Sequence, residues 1–136
     1  MTCTFFGHRD CPKDIEQSLR CAIIDLIEKK EVNKFYVGNQ GDFDSMVYRT
    51  LKNLSQIYPI EYDIVLAYLP HRHDYYDRTI FPEGIENVPP RFAINYRNNW
   101  MIDHSDFVIT YVRYSFGGAT KFKELAIKQN KTVIDL

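Results

Sequence analysis

Short apolar runs alternate with amphipathic stretches from one end of this chain to the other, and that alternation constrains the fold more than any other feature. "TCTFFG" (2–7), "KFYVG" (34–38), "YDIVLAYL" (62–69), "DFVITYV" (106–112) and "KTVIDL" (131–136) read as strands. Between them, "DIEQSLRCAIIDLIEKK" (14–30) places Ile15, Leu19, Ala22, Ile23, Leu26 and Ile27 near a 3.6-residue period, the spacing of one helix face. "DFDSMVYRTLKNLSQIY" (42–58) does the same with Met46, Val47, Leu51 and Leu54. "RFAINYRNNWMIDHS" (91–105) and "TKFKELAIKQN" (120–130) complete the set of helices. Strands that are nearly continuous in apolar residues are covered on both faces. Strand–helix alternation with such strands predicts an α/β fold. The specific expectation is a Rossmann-like three-layer sandwich, a mainly parallel five-stranded sheet with helices on both faces. The stretch "PHRHDYYDRTIFPEGIENVPP" (70–90) has four prolines and reads as loop or broken structure, and loops of this length are usually functional or mobile.

The chain has 136 residues, and this fits one domain spanning residues 1–136. It is 45% hydrophobic, enough for one core and unlike a disordered chain. The formal net charge is -1. That balance weighs against a non-specific nucleic-acid or membrane binder, which needs a basic face. Cys3, Cys11 and Cys21 are odd in number and close together near the N-terminus, which argues against a disulfide framework. No run approaches the roughly 20 apolar residues of a membrane span. With no signal-like segment either, the expectation is a reduced, cytoplasmic protein without a membrane partner.

In open parallel sheets, ligands bind beyond the carboxyl ends of the strands, near the point where strand order reverses. Four loops therefore matter. After the first strand, "GHRDCP" (7–12) offers Gly7 for a tight turn, then His8 and Arg9. Arg9 could hold a phosphate through its two-pronged guanidinium or simply lie in solvent. Cys11 sits beside this expected anion site, which could lower its pKa, but it is read as structural or incidental. After the second strand, "GNQGDFD" (38–44) supplies Gly38, Asn39, Gly41 and Asp42 before a helix. Asp42 suits an N-cap and equally suits a ribose hydroxyl. After the third, His71, His73 and Asp74 are metal-ligand types, but their spacing matches no zinc pattern. No metal or cofactor is expected. Tyr75 or Tyr76 could stack on a base. After the fourth, "SFGGATKFKELA" (115–126) places Gly117, Gly118, Ala119 and Thr120 at a helix start, where free N–H groups and the helix dipole attract anions. It lacks the lysine–serine ending of a P-loop.

The order of these motifs resembles the SLOG group of Rossmann-like proteins, which joins the Smf/DprA proteins to the lonely-guy phosphoribohydrolases. It is most similar to the branch of small bacterial and phage proteins that includes the YpsA-like, DUF1273-type members. The carriers are "FFGHR", "VGNQGDFD" and the stretch from Arg97 to Ala126, "RNNWMIDHSDFVITYV…GGATKFKELA". The resemblance implies a nucleotide-derived ligand with phosphate at the Gly117–Thr120 turn, Arg97 in contact with it, and homo-oligomers, commonly dimers. The lonely-guy enzymes cleave the N-glycosidic bond of nucleoside monophosphates with an arginine and a glutamate, which correspond to Arg97 and Glu124. This chain departs from their Pro-Gly-Gly-x-Gly-Thr-x-Glu-Glu pattern, with Phe116 for the proline, Thr120 and Lys121 for Gly-Thr, and Lys123 for the first glutamate.

Two functions follow as expectations. The first is sensing or sequestration of a nucleotide-derived small molecule, such as an ADP-ribose-like, cyclic or phosphorylated nucleotide. The alternative is a phosphoribohydrolase-like N-glycosidase using Arg97 and Glu124. A DNA-binding role of the Smf/DprA type is disfavoured by the sequence pI of about 6.4. Phe92, Tyr96 and Trp100 are read as core or dimer interface ahead of base-stacking groups.

Overall fold

In the computed structural model, residues 1–69 and 78–136 are described. The strands are β1 (Thr2–Gly7), β2 (Lys34–Val37), β3 (Glu61–Val65), β4 (Thr79–Ile80), β5 (Phe107–Tyr111) and β6 (Thr132–Asp135). The helices are α1 (Glu16–Lys30), α2 (Asp42–Leu54), α3 (Ala93–Asp103) and α4 (Gly118–Lys128). Single 3-10 turns occupy Lys13–Ile15, Ile85–Asn87 and Pro90–Phe92. All strands pair in parallel in the order β4-β3-β2-β1-β5-β6. The sheet therefore has six strands, one more than the apolar runs predict. The extra strand, β4, is two residues long, too short to leave a hydrophobic period.

Strand alternation sorts side chains to two faces. Cys3 and Phe5 of β1, Tyr62 and Ile64 of β3, and Phe107 and Ile109 of β5 join Leu19, Ile23 and Leu26 of α1 and Met46, Val47 and Leu51 of α2 in one core. Phe6, Val65 and Val108 point the other way and meet Met101 and Ile102 of α3 and Phe122 and Ala126 of α4 in a second core. The expected three layers are thus present, with α1 and α2 on one face and α3 and α4 on the other. The chain changes faces between α2 and α3, and this sets the strand-order reversal between β1 and β5.

The helix starts differ from expectation. Asp42 is not the N-cap of α2. Gly41 holds that position with a φ of 92° and no side-chain cap, and Asp42 is the first helical residue, exposed, its N–H donating to the Arg9 carbonyl at 2.7 Å. A β-carbon on Gly41 would lie 2.7 Å from the Arg9 Cα. Only glycine combines that left-handed backbone with so close an approach. Gly7 serves packing rather than turning. A β-carbon there would stand 2.2 Å from the Phe43 ring.

Candidate functional site

A cavity of about 300 Å³ opens at the carboxyl edge of the sheet, at the β1–β5 reversal. Phe5, Phe6, Ile94, Met101 and Phe122 give it an apolar lining. Gly7, His8, Arg9, Gln40, Asp44, Arg97 and Asn98 give it a polar one, and Gly118 and Ala119 at the start of α4 complete it. Three different loops therefore converge on one space, as this sheet topology requires.

Arg97 is central to this site. Its place on α3 turns it toward β3, and it is only 2% exposed. Nη1 donates to the Val65 carbonyl at 3.0 Å and to Asn39 Oδ1 at 3.1 Å, and Nε donates to Asn98 Oδ1 at 2.8 Å. It does not snorkel to solvent. Burial pulls its pKa down while the Asp44 charge pulls it up, and a guanidinium stays charged under either influence. Among the described residues, Nη2 finds no hydrogen-bond acceptor. A buried cation with a donor left over, beside a cavity, is an anion-binding arrangement.

Asp44 faces the same cavity. Its Oδ2 accepts the Gln40 N–H at 2.9 Å. Burial pushes its pKa up to about 6, against the opposing pull of that N–H and of the Arg97 and Arg9 charges. Gly38 makes room for the pair, since a β-carbon there would lie 2.8 Å from Asp44 Oδ2 and 3.4 Å from the Arg97 guanidinium. A smaller pocket of about 140 Å³, lined by Gly38, Asn39, Asp44, Ser45, Tyr48 and Arg49, adjoins through Asp44.

His8 accepts the Arg113 N–H on Nε2 at 2.8 Å, so its ring is neutral with the proton on Nδ1. Burial and the Arg113 charge both pull its pKa down, with Asp135 opposing. Arg9 is exposed and reaches Gln40 Oε1 with Nη2 at 3.4 Å. Gly117 adopts a φ of 104° and caps α4. A β-carbon on Gly117 or Gly118 would meet nothing within 4 Å, so this turn is open where the other glycine loops are filled.

The remaining sequence-derived residues fall outside the cavity. Thr120 is buried, its hydroxyl 2.9 Å from the Tyr114 carbonyl and 3.0 Å from that of Phe116. It fastens the turn that Gly118 and Ala119 present. Asp42 and Glu124 are exposed and are not among the lining residues, so Arg97 and Glu124 are not brought to one space. Cys11 is not an activated thiol. Burial first, then the Asp42 and Asp14 charges, raise its pKa, and Arg113 opposes them only in part. His71, His73, Asp74, Tyr75 and Tyr76 lie outside the described residues. Among the described residues, no group of three or more His, Cys, Asp or Glu side chains could hold a metal. None of the described helices is long and apolar enough to cross a membrane.

Phe92 is exposed, and Trp100 and Tyr96 are half-buried. Trp100 Nε1 donates to Glu83 Oε2 at 2.9 Å, and the Tyr96 hydroxyl donates to the Glu83 carbonyl. These rings brace α3 against the segment preceding it. Sequence reasoning missed Asp44, Gln40 and Asn98. The signal for Asn98 was its place next to Arg97. Asp44 gave none beyond standing in the first turn of a helix.

The sequence matches no family model and no curated protein. Among solved structures, DNA processing protein A (DprA) from Streptococcus pneumoniae is similar, with a TM-score of 0.72 and 15% identity over 98% of this chain and 49% of that one. This chain spans about half the length of that structure. At such low identity the likeness is one of architecture: the chain has the Rossmann-like α/β fold that DprA also contains.

Proposed function

We propose that the 136 residues form one SLOG-like domain that binds a nucleotide-derived small molecule in the cavity between β1, α3 and α4. The observation that carries this reading is Arg97, a 2%-exposed cation lining the cavity with Nη2 unspent. Burying a guanidinium is costly unless its donors are used, and an anionic ligand would use the last of them. Arg9 and the open start of α4 supply further positive potential at the same space. The apolar lining from Ile94, Met101 and Phe122 suits a base or sugar face. The shared DprA architecture supports placing the chain in the SLOG group, and the YpsA-like branch with its homo-oligomers belongs to the same reading. Binding without turnover is favoured because Glu124, the carboxylate that the lonely-guy pattern would use, lies outside the cavity.

A proton NMR time course tests this with AMP, ADP-ribose, NAD and cyclic nucleotides as probes. Line broadening of a probe without new peaks is expected, and Arg97→Ala should abolish it. Release of free base and ribose phosphate would replace the binding reading with the N-glycosidase one. No broadening with any probe would remove the nucleotide reading altogether.

A further inference from the structure

The site also holds a half-buried carboxylate, Asp44, that the sequence pattern does not single out. Oδ2 of Asp44 is held by the Gln40 N–H at 2.9 Å. Asp44 enters none of the ion pairs among the described residues. Arg97 is close enough to influence it electrostatically but spends Nη1 on Asn39 and Val65 instead. Oδ1 is therefore left for something that donates hydrogen bonds. The carboxyl also stands where the larger cavity meets the smaller pocket, so it borders both spaces. Gly38 shows that the loop is drawn tightly around this group, because a side chain there would displace Asp44 or Arg97.

The turn that would take an anion lies elsewhere. Asp44 stands in the first turn of α2, which follows β2, and Gly118 opens α4, which follows β5, and these strands flank β1 on opposite sides. The cavity thus has an acceptor on the β2 side and a positively polarised helix start on the β5 side. A ligand that fits carries hydrogen-bond donors and an anion on one small frame. A pocket of about 300 Å³ is at the bottom of the usual small-molecule range, about 300–1,000 Å³. That suits a single nucleotide better than a dinucleotide.

Resting on the nucleotide reading above, we propose that Asp44 is the specificity residue of the cavity and accepts hydrogen bonds from the 2′,3′-diol of a single ribonucleoside 5′-phosphate, selecting ribose over deoxyribose. A carboxylate that receives two hydroxyl donors regains the hydrogen bonds lost on burial. A 2′-deoxy sugar leaves part of that capacity unfilled, and a site with buried polar groups rejects the analogue that leaves them unpaired.

Isothermal titration of the four ribonucleoside 5′-monophosphates, each beside its 2′-deoxy counterpart, tests the proposal without any variant. At least one ribonucleotide should bind tenfold or more tightly than its deoxy form. Asp44→Asn, checked for folding by circular dichroism, should shrink that ratio to about threefold or less. Equal binding of ribo and deoxy forms by the unaltered protein would overturn the assignment while leaving the nucleotide reading in place. So would an unchanged ratio in Asp44→Asn, or binding of ADP-ribose with no monophosphate binding. Absence of binding to every nucleotide tried, ADP-ribose included, would overturn both.

Discussion

The cavity is flanked by two glycine-bearing walls that look alike in sequence and are opposite in structure. On the β1–β2 side, Gly7, Gly38 and Gly41 are each pressed against a neighbour: the Phe43 ring, the Asp44–Arg97 pair and the Arg9 backbone. On the β5–α4 side, Gly117 and Gly118 face open space. The first wall uses glycine to let the protein approach itself. The second uses it to leave access for something else. A Gly-rich loop in a parallel α/β sheet is thus not a phosphate cradle by default, and the neighbours of the missing β-carbon decide which kind it is.

Substitutions to alanine separate the two walls most sharply. Gly7→Ala would force a methyl to within 2.2 Å of the Phe43 ring carbon and should destabilise the fold by about 3 kcal/mol, the upper range for an overpacked core. Urea denaturation measures it. A loss below about 1 kcal/mol would mean that Phe43 moves freely and that the first wall is not tightly built.

The half-buried carboxyl of that wall, Asp44, gives the next effect. Burial raises the folded pKa of Asp44 to about 6, above the 3.8 of a free aspartate. The folded state therefore holds more protons than the unfolded one between these values, and the stability contributed by the protonated carboxyl is lost as pH rises through about 6. Asp44→Asn should remove this dependence, making the variant more stable than the parent by about 2 kcal/mol at pH 8 and nearly equal to it at pH 4. Thermal unfolding at both pH values reads it. A parent that grows more stable from pH 4 to pH 8 through this residue would show that Arg97 outweighs burial.

Smaller effects belong to the second wall. Thr120→Val removes the hydroxyl beside the Tyr114 and Phe116 carbonyls and should cost about 1 kcal/mol, an ordinary hydrogen-bond loss. Gly118→Ala should change stability by less than about 0.5 kcal/mol, since its β-carbon meets nothing. It should nonetheless weaken binding of an anionic nucleotide several-fold in a calorimetric titration. A stability loss equal to that of Gly7→Ala would erase the contrast between the walls.

Much of this architecture is legible from periodicity. The alternation Cys3, Phe5 against Phe6, and Phe107, Ile109 against Val108, already encodes a sheet covered twice. β4 is not legible, because two residues carry no pattern. The site is only partly so. His8, Arg9, Gly118 and Ala119 follow from the rule that ligands gather at strand carboxyl ends, and the cavity does include them. Asp42 was the natural choice for the acid, being first in its helix with a capping side chain. Gly41 takes the cap instead, and the turn of α2 carries Asp44 to the cavity while Asp42 faces solvent. There Asp44 meets the charge of Arg97, 53 residues further along, while Gly41 packs against the Arg9 backbone. No local pattern can report either one.

The contact between Gly41 and Arg9 runs to the Arg9 Cα, and the Asp42 N–H bonds to the Arg9 carbonyl. Position 9 is thereby pinned by its main chain while its exposed side chain reaches the cavity. Such a site separates heritable change in preference from heritable change in foldability. Descendants could exchange arginine for lysine, glutamine or serine at position 9 and acquire a different taste in ligand charge. Position 41, which carries no side chain and touches no ligand, would stay fixed beneath them.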